Sequence, residues 1–278
     1  MKLSQTRIAI PMAVLVVATS GCSVINRIRA KNELNEAARA YRESHFDEAE
    51  QRSRRALELD PDNKTAPIFI ARTIHAQYRP GVSSPENVAK ANEAIEAYKR
   101  ILEKDPQNDE AYKAIAFLYE RTKAEDKLRQ WILARANNEQ IDKEKRAEAY
   151  VVLASKDWNC SFQITEPTKI TTVENNKATV SYKKPKDQKD FDTAQMCVQR
   201  GLEGVENSIR LDPNSESAWS YKTNLLIEAV KLAEMEGKPD KKAELDKQRE
   251  IAQKRTEALS QQKKKEEEAK QQASPPTS

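Results

Sequence analysis

Residues 56–61 read A-L-E-L-D-P, and the pattern returns as I-L-E-K-D-P at 101–106 and S-I-R-L-D-P at 208–213. Each copy closes one amphipathic segment and opens the next. Proline has no N–H and its ring clashes with the preceding turn, so it sits badly inside a helix and readily just past one. Each Asp-Pro is therefore a stop signal. Stop signals repeated behind similar helices mark a repeat protein.

Working outward from the first stop, Leu34, Ala37, Ala38 and Tyr41 recur at helical spacing over about 28–42, and a second helix follows at 46–59 with Phe46, Ala49, Ala56 and Leu59 inward. Two helices joined by a turn and ending in D-P, about 34 residues in all, resemble a tetratricopeptide repeat. In that family small residues sit where paired helices cross, and Ala37, Ala49 and Ala56 occupy the matching positions. The resemblance implies an all-α fold, an α-solenoid of about five helix pairs.

The second unit keeps the pattern with an insertion of about 11 residues over the family length. Its site is the turn-forming cluster R-P-G-V-S-S-P at 79–85, between helices at 65–78 and 86–104. Ala71, Ala94, Tyr98 and Ile101 take its packing positions. In the third unit Tyr112, Ala116 and Tyr119 fill signature positions, and a second helix at about 124–136 carries Leu128, Trp131 and Ile132 on one face. The next helix, about 143–158, presents Ala147, Tyr150, Val151 and Ala154 at the same period.

Between Pro106 and Pro213 the chain holds about 39 residues more than two repeats need. The excess contains I-T-T-V-E-N-N-K-A-T-V-S-Y at 170–182, which reads as a β-hairpin turning at Asn175-Asn176. An isolated hairpin is marginal in water, so it must lie on the helices or on a partner. Structural decoration and a binding finger both remain open for it. A helix at 191–211 then completes the fourth unit, with Gly201 at the crossing. Trp219 opens the fifth, which buries Leu226, Val230 and Ala233. G-K-P-D at 237–240 breaks the chain before a last helix with Ala243, Ile251, Ala252 and Leu259. The expected division is an export signal at 1–21, a lipid anchor and short linker at 22–29, and repeats up to the first helix of the fourth at 30–159. The hairpin insertion follows at 160–189, the remaining repeats and cap at 190–260, and a charged, disordered tail at 261–278.

The N-terminal reading rests on M-K-L-S-Q-T-R, the apolar run 8–18 and T-S-G-C at 19–22. A basic start, a short apolar run and small residues make an export signal, and the run is well short of the roughly 20 residues that span a bilayer. Gly21-Cys22 resembles a bacterial lipoprotein box, although Thr19 departs from the leucine usual there. That resemblance implies an acylated Cys22 as the first mature residue, and Ser23 in place of aspartate resembles an outer-membrane address. The alternative is ordinary cleavage after Ser20, leaving a free thiol. Of the three cysteines, lipidation would leave Cys160 and Cys197 to pair in an oxidising compartment; otherwise both are small buried apolar residues.

The chain has 278 residues, 33% of them charged, a net charge of +4 and five glycines. That balance argues against a nucleic-acid surface, and so few glycines argue against a phosphate-cradling loop. His45 and His75 are the only histidines. They form no zinc set with the cysteines, and no nucleophile elbow or metalloprotease motif occurs, so neither enzyme activity, cofactor, metal nor small-molecule substrate is expected.

Carried over from the repeat family, the groove-facing positions are Asn35, Ala38 and Tyr41, then Ile68, Phe69, Arg72 and His75, then Lys113, Phe117 and Arg121. Rings beside cations suit a peptide with apolar anchors and some negative charge. The lysine and asparagine clamp with which some members grip a C-terminal carboxylate is not reproduced. Phe69 and Phe117 could equally pack neighbouring repeats. The expectation is a membrane-anchored scaffold that binds a protein or peptide partner in the bacterial envelope, facing the periplasm. Lipoproteins similar in make-up include accessory factors of outer-membrane protein insertion and of pilus secretin assembly. The alternatives are a soluble periplasmic adaptor and an unrecognised enzyme.

Overall fold

The computed structural model describes residues 9–174 and 177–273, and for 9–22, 174, 177 and 271–273 it gives the course of the backbone alone. Ten helices and one two-stranded sheet are present among them. The chain divides into two compact units between Leu128 and Arg129.

The first unit holds α1 (Ala9–Arg42), α2 (Phe46–Leu59), α3 (Thr65–Gln77), α4 (Pro85–Lys104), α5 (Asp109–Arg121) and the start of α6 (Glu125–Asn137). Through α5 each helix packs on the next in chain order, as in an α-solenoid. Alanine makes this close approach possible. Ala37, Ala49, Ala56, Ala66, Ala71, Ala91 and Ala94 are all fully buried, and Ala30, Ala56 and Ala66 form one cluster with Leu34, Leu57 and Leu59 around it.

The second unit contains the rest of α6, then α7 (Lys143–Thr165), β1 (Lys169–Glu174), β2 (Lys177–Tyr182), α8 (Gln188–Leu211), α9 (Glu216–Met235) and α10 (Pro239–Ala273). Here α7 packs on α8, α8 on α9 and α9 on α10. The core joins Phe191, Ala194 and Val198 of α8 to Ala229 and Leu232 of α9, with Ile164, Met235 and Leu245 against it. Gly201 sits where α8 meets α9: a Cβ there would stand 2.5 Å from Leu225 Cδ2.

The Asp-Pro joints share one geometry. A residue before proline is driven out of the helical region, and Asp60, Asp105 and Asp212 lie at φ −136° with ψ 84°, 83° and 92°. Their N–H groups still close the outgoing helices, on Ala56, Ile101 and Ser208. Two residues past each proline, Asn63, Asn108 and Ser215 cap the incoming helix by accepting from the N–H of Ala66, Ala111 and Ala218. The same three residues donate their own N–H back to the carbonyls of Asp60, Asp105 and Asp212. A four-residue motif, D-P-x-N or D-P-x-S, thus ends one helix and starts another.

Turns inside the pairs work differently. Ser44, Lys123 and Gly237 adopt φ of 64°, 56° and 66°. The following residues donate back to Ala40, Tyr119 and Ala233, as in a Schellman closure. The loop before α4 is held by Asn87, whose side chain bonds the N–H and C=O of Arg79 and the C=O of Val82.

The hairpin pairs Lys169 with Tyr182 through to Glu174 with Lys177. That register leaves Asn175 and Asn176, the expected turn, outside the described residues. Three helix limits depart from the sequence reading. α1 runs back to Ala9 through the stretch read as signal and linker. α7 continues past Cys160 to Thr165, because its polar residues Ser161 and Thr165 are fully buried with a hydrogen-bond partner on α9. α10 continues through 261–273, where Gln, Lys, Glu and Ala are strong helix formers. Among the described residues no helix is long and apolar enough to cross a membrane.

Candidate functional site

The positions carried over from the repeat family fall on α1, α3 and α5, all in the first unit, and several meet. Tyr41 stands edge-on to Phe69 with centroids 6.1 Å apart, and edge-on to Phe46 at 5.3 Å. On the next pair His75 lies between Tyr98, at 5.9 Å, and Phe117, at 5.7 Å, with Nδ1 3.4 Å from the Tyr98 hydroxyl. Arg121 covers Phe117 with Cζ 5.0 Å from the ring centre. Phe117 is still 37% exposed, so contact with neighbours does not use up its surface. Asn35 is exposed on α1.

The charges are arranged otherwise than the sequence led one to expect. Arg72 grips Glu110 with Nε at 2.5 Å and Nη2 at 2.7 Å, a forked pair from α3 to α5. That hydrogen bond raises its pKa. Lys113 is paired with Asp109 one turn away. Two cations counted as ready for a ligand are thus neutralised within the surface, and the partner acids were missed because Asp109 and Glu110 look like first-turn residues of a helix. Burial lowers the His75 pKa and raises that of Tyr98.

The second unit carries two buried ionic clusters that no motif announces. Asp157 is held by both Arg129 and Arg200. Glu228 accepts from Lys231 at 2.6 Å, from Thr165 at 2.6 Å and from Ser161 at 3.0 Å. Lys231 also lies over the rings of Tyr182 and Phe162. Burial opposes its charge, but the Glu228 hydrogen bond and the Glu228 and Glu166 charges leave its pKa raised. The Tyr182 N–H donates to Glu234, so this cluster and its neighbour fasten the hairpin root to α9. A signal was available: Glu228 and Lys231 interrupt the apolar run L-L-I-E-A-V-K-L-A.

Cys160 and Cys197 form a disulfide between α7 and α8, with Cα atoms 6.1 Å apart. Cys22 falls in the backbone of α1 with its side chain outside the described residues, as are residues 1–8 of the export signal. Among the described residues no group of three or more His, Cys, Asp or Glu could hold a metal ion.

No family model matches this chain, and no curated protein does. Among solved structures it is similar to MamA, residues 41 to the end, from Desulfovibrio magneticus RS-1, at 12% identity over 80% of this chain and 96% of that one, with a TM-score of 0.34. It is also similar to YrrB, "a TPR protein with an unusual peptide-binding site", at 12% identity over 84% and 90%, TM-score 0.35. A third is PilF of Pseudomonas aeruginosa, at 14% over 79% and 90%, TM-score 0.34. The fold is tetratricopeptide-like on the strength of its own helix pairs, alanine crossings and Asp-Pro joints. Identities and scores this low add no argument about function.

Proposed function

We propose that this chain is exported, acylated at Cys22 and held on a membrane facing the periplasm, where its first unit serves as a scaffold for a protein partner. The observation that carries the scaffold reading is the row of half-covered rings on α1, α3 and α5, namely Tyr41, Phe69, His75 and Phe117. Aromatic side chains with one face packed and the other wet are favoured anchors at protein interfaces, because they bury much area at little entropic cost. With Arg72 and Lys113 already paired, the segment that fits is an extended one with apolar side chains over the rings and an acidic group near Arg121.

The experiment is crosslinking in intact cells with mass spectrometry of what is captured, comparing wild type with a Phe69→Ala, Phe117→Ala double variant of unchanged helical content. Selective loss of one captured protein supports the scaffold; the same captured set from both chains removes it. Incorporation of radioactive palmitate that disappears in Cys22→Ala supports the anchor, and equal incorporation, or none in wild type, overturns it.

A further inference from the structure

The first described side chains of α1 form a surface that the helix packing leaves uncovered. Val24 is 55% exposed, Ile25 51% and Ile28 57%. On a helix these three fall within an arc of about 100°, roughly opposite Ala30 and Ala37, which are fully buried against the body. Arg27, Arg29 and Lys31 are exposed, and no acid occurs from Ser23 to Asn32. By the same periodicity Arg27 and Lys31 flank the apolar arc on one side and Arg29 flanks it on the other.

We infer that 23–31 is a membrane-contact collar, in which Val24, Ile25 and Ile28 enter the interface of an anionic phospholipid surface while Arg27, Arg29 and Lys31 meet its headgroups. The charge decides the occupant: three cations around an apolar arc complement an anionic lipid surface and would repel a second copy of the same segment. Long cationic side chains also reach past an apolar contact to the headgroups, as their stems are themselves apolar. A collar here adds an apolar and an electrostatic contact to the acyl anchor at Cys22. It would also fix the angle at which α1 leaves the membrane. The inference rests on the membrane side of the proposed function and adds to it a lipid class and an orientation.

The test uses the chain from residue 22 onward, as it stands after removal of the proposed export signal, carrying Cys22→Ala so that no acyl chain contributes, with single cysteines introduced at Val24, Ile25, Ile28 or Asn35 and labelled with a nitroxide. On vesicles of mixed zwitterionic and anionic phospholipid, labels at 24, 25 and 28 should be open to oxygen and shielded from a polar nickel chelate, whereas the Asn35 label stays aqueous. The triple variant Arg27→Gln, Arg29→Gln, Lys31→Gln should weaken binding to anionic vesicles about 100-fold at low salt and leave binding to zwitterionic vesicles unchanged. Aqueous labels at 24, 25 and 28 on vesicle-bound protein overturn the collar. So does spin–spin broadening without vesicles, which would make the face a contact between copies. Either result leaves the Cys22 anchor standing, because palmitate incorporation tests that separately.

Discussion

The Asp157 carboxylate, 2% exposed, is gripped at both oxygens by Arg129, with Nη1 to Oδ1 at 3.0 Å and Nη2 to Oδ2 at 2.9 Å. Arg200 adds a third bond to Oδ1 at 3.0 Å. One buried acid on α7 therefore holds α6 and α8. Removing it strands two guanidinium groups, and the buried Nε of Arg200 has no partner even with Asp157 in place. Asp157→Ala should destabilise the second unit by about 3 kcal/mol, the low end for breaking a buried ion pair because Arg129 is 33% exposed. The urea midpoint measures it. An unchanged midpoint would mean that the forked pair contributes nothing net.

The disulfide lies one turn from this cluster, with Arg200 donating to Cys197 Sγ at 3.4 Å. It closes a loop of 37 residues that contains the entire hairpin. In the chain-entropy account such a loop is worth about 4 kcal/mol through the unfolded state. Cys160→Ala with Cys197→Ala should lower the urea midpoint of the second unit and leave that of the first unchanged. Equal loss in both units would refute the confinement of the bridge's effect to 129–278.

What the sequence disclosed and what it hid follow from the range of each interaction. Asp60-Pro61, Asp105-Pro106 and Asp212-Pro213 act within four residues, so their meaning can be read from the chain, and the alanine crossings follow from helical period. The hairpin was legible because β-branched residues flank a turn pair. Ser44 and Lys123 were not, since nothing about serine or lysine announces a left-handed residue that the closing bonds to Ala40 and Tyr119 enforce. The pairs Arg72 with Glu110, Asp157 with Arg129 and Ser161 with Glu228 join residues 38, 28 and 67 apart, and no local pattern points from one to the other. At the candidate surface, likewise, the pairing of Arg72 with Glu110 across two helices could not be read from the chain.

His75 supplies a pH dependence of known sign. Its folded pKa lies below the ordinary 6.5 because burial disfavours the imidazolium. The groups around it are Arg72 on its own helix, already paired with Glu110, Tyr98 on α4, and Phe117 with Arg121 on α5. Below 6.5 the unfolded chain binds a proton that the folded chain resists, so stability is fully present above 6.5 and is lost as pH falls through the lower folded value. Urea midpoints of the first unit from about pH 7.5 to about pH 5 should therefore decline in wild type, and less steeply in His75→Phe. Parallel declines would show that His75 titrates as it does in the unfolded chain.

The joint motif yields the most direct comparison, because one substitution can be made in chemically matched places. Asn108 Oδ1 accepts from the Ala111 N–H at 3.0 Å and opens α5; Ser215 Oγ accepts from the Ala218 N–H at 3.3 Å and opens α9. Alanine removes the acceptor and strands an N–H at a helix start, which costs about 1 kcal/mol. Glycine, also without an acceptor, lets water reach the same N–H and costs only a few tenths. Asn108→Ala should thus lower the midpoint of the first unit and Ser215→Ala that of the second, each by more than the matching glycine variant. If alanine and glycine prove equal at both joints, the side-chain caps are incidental, and the stop at proline alone sets where each helix pair begins.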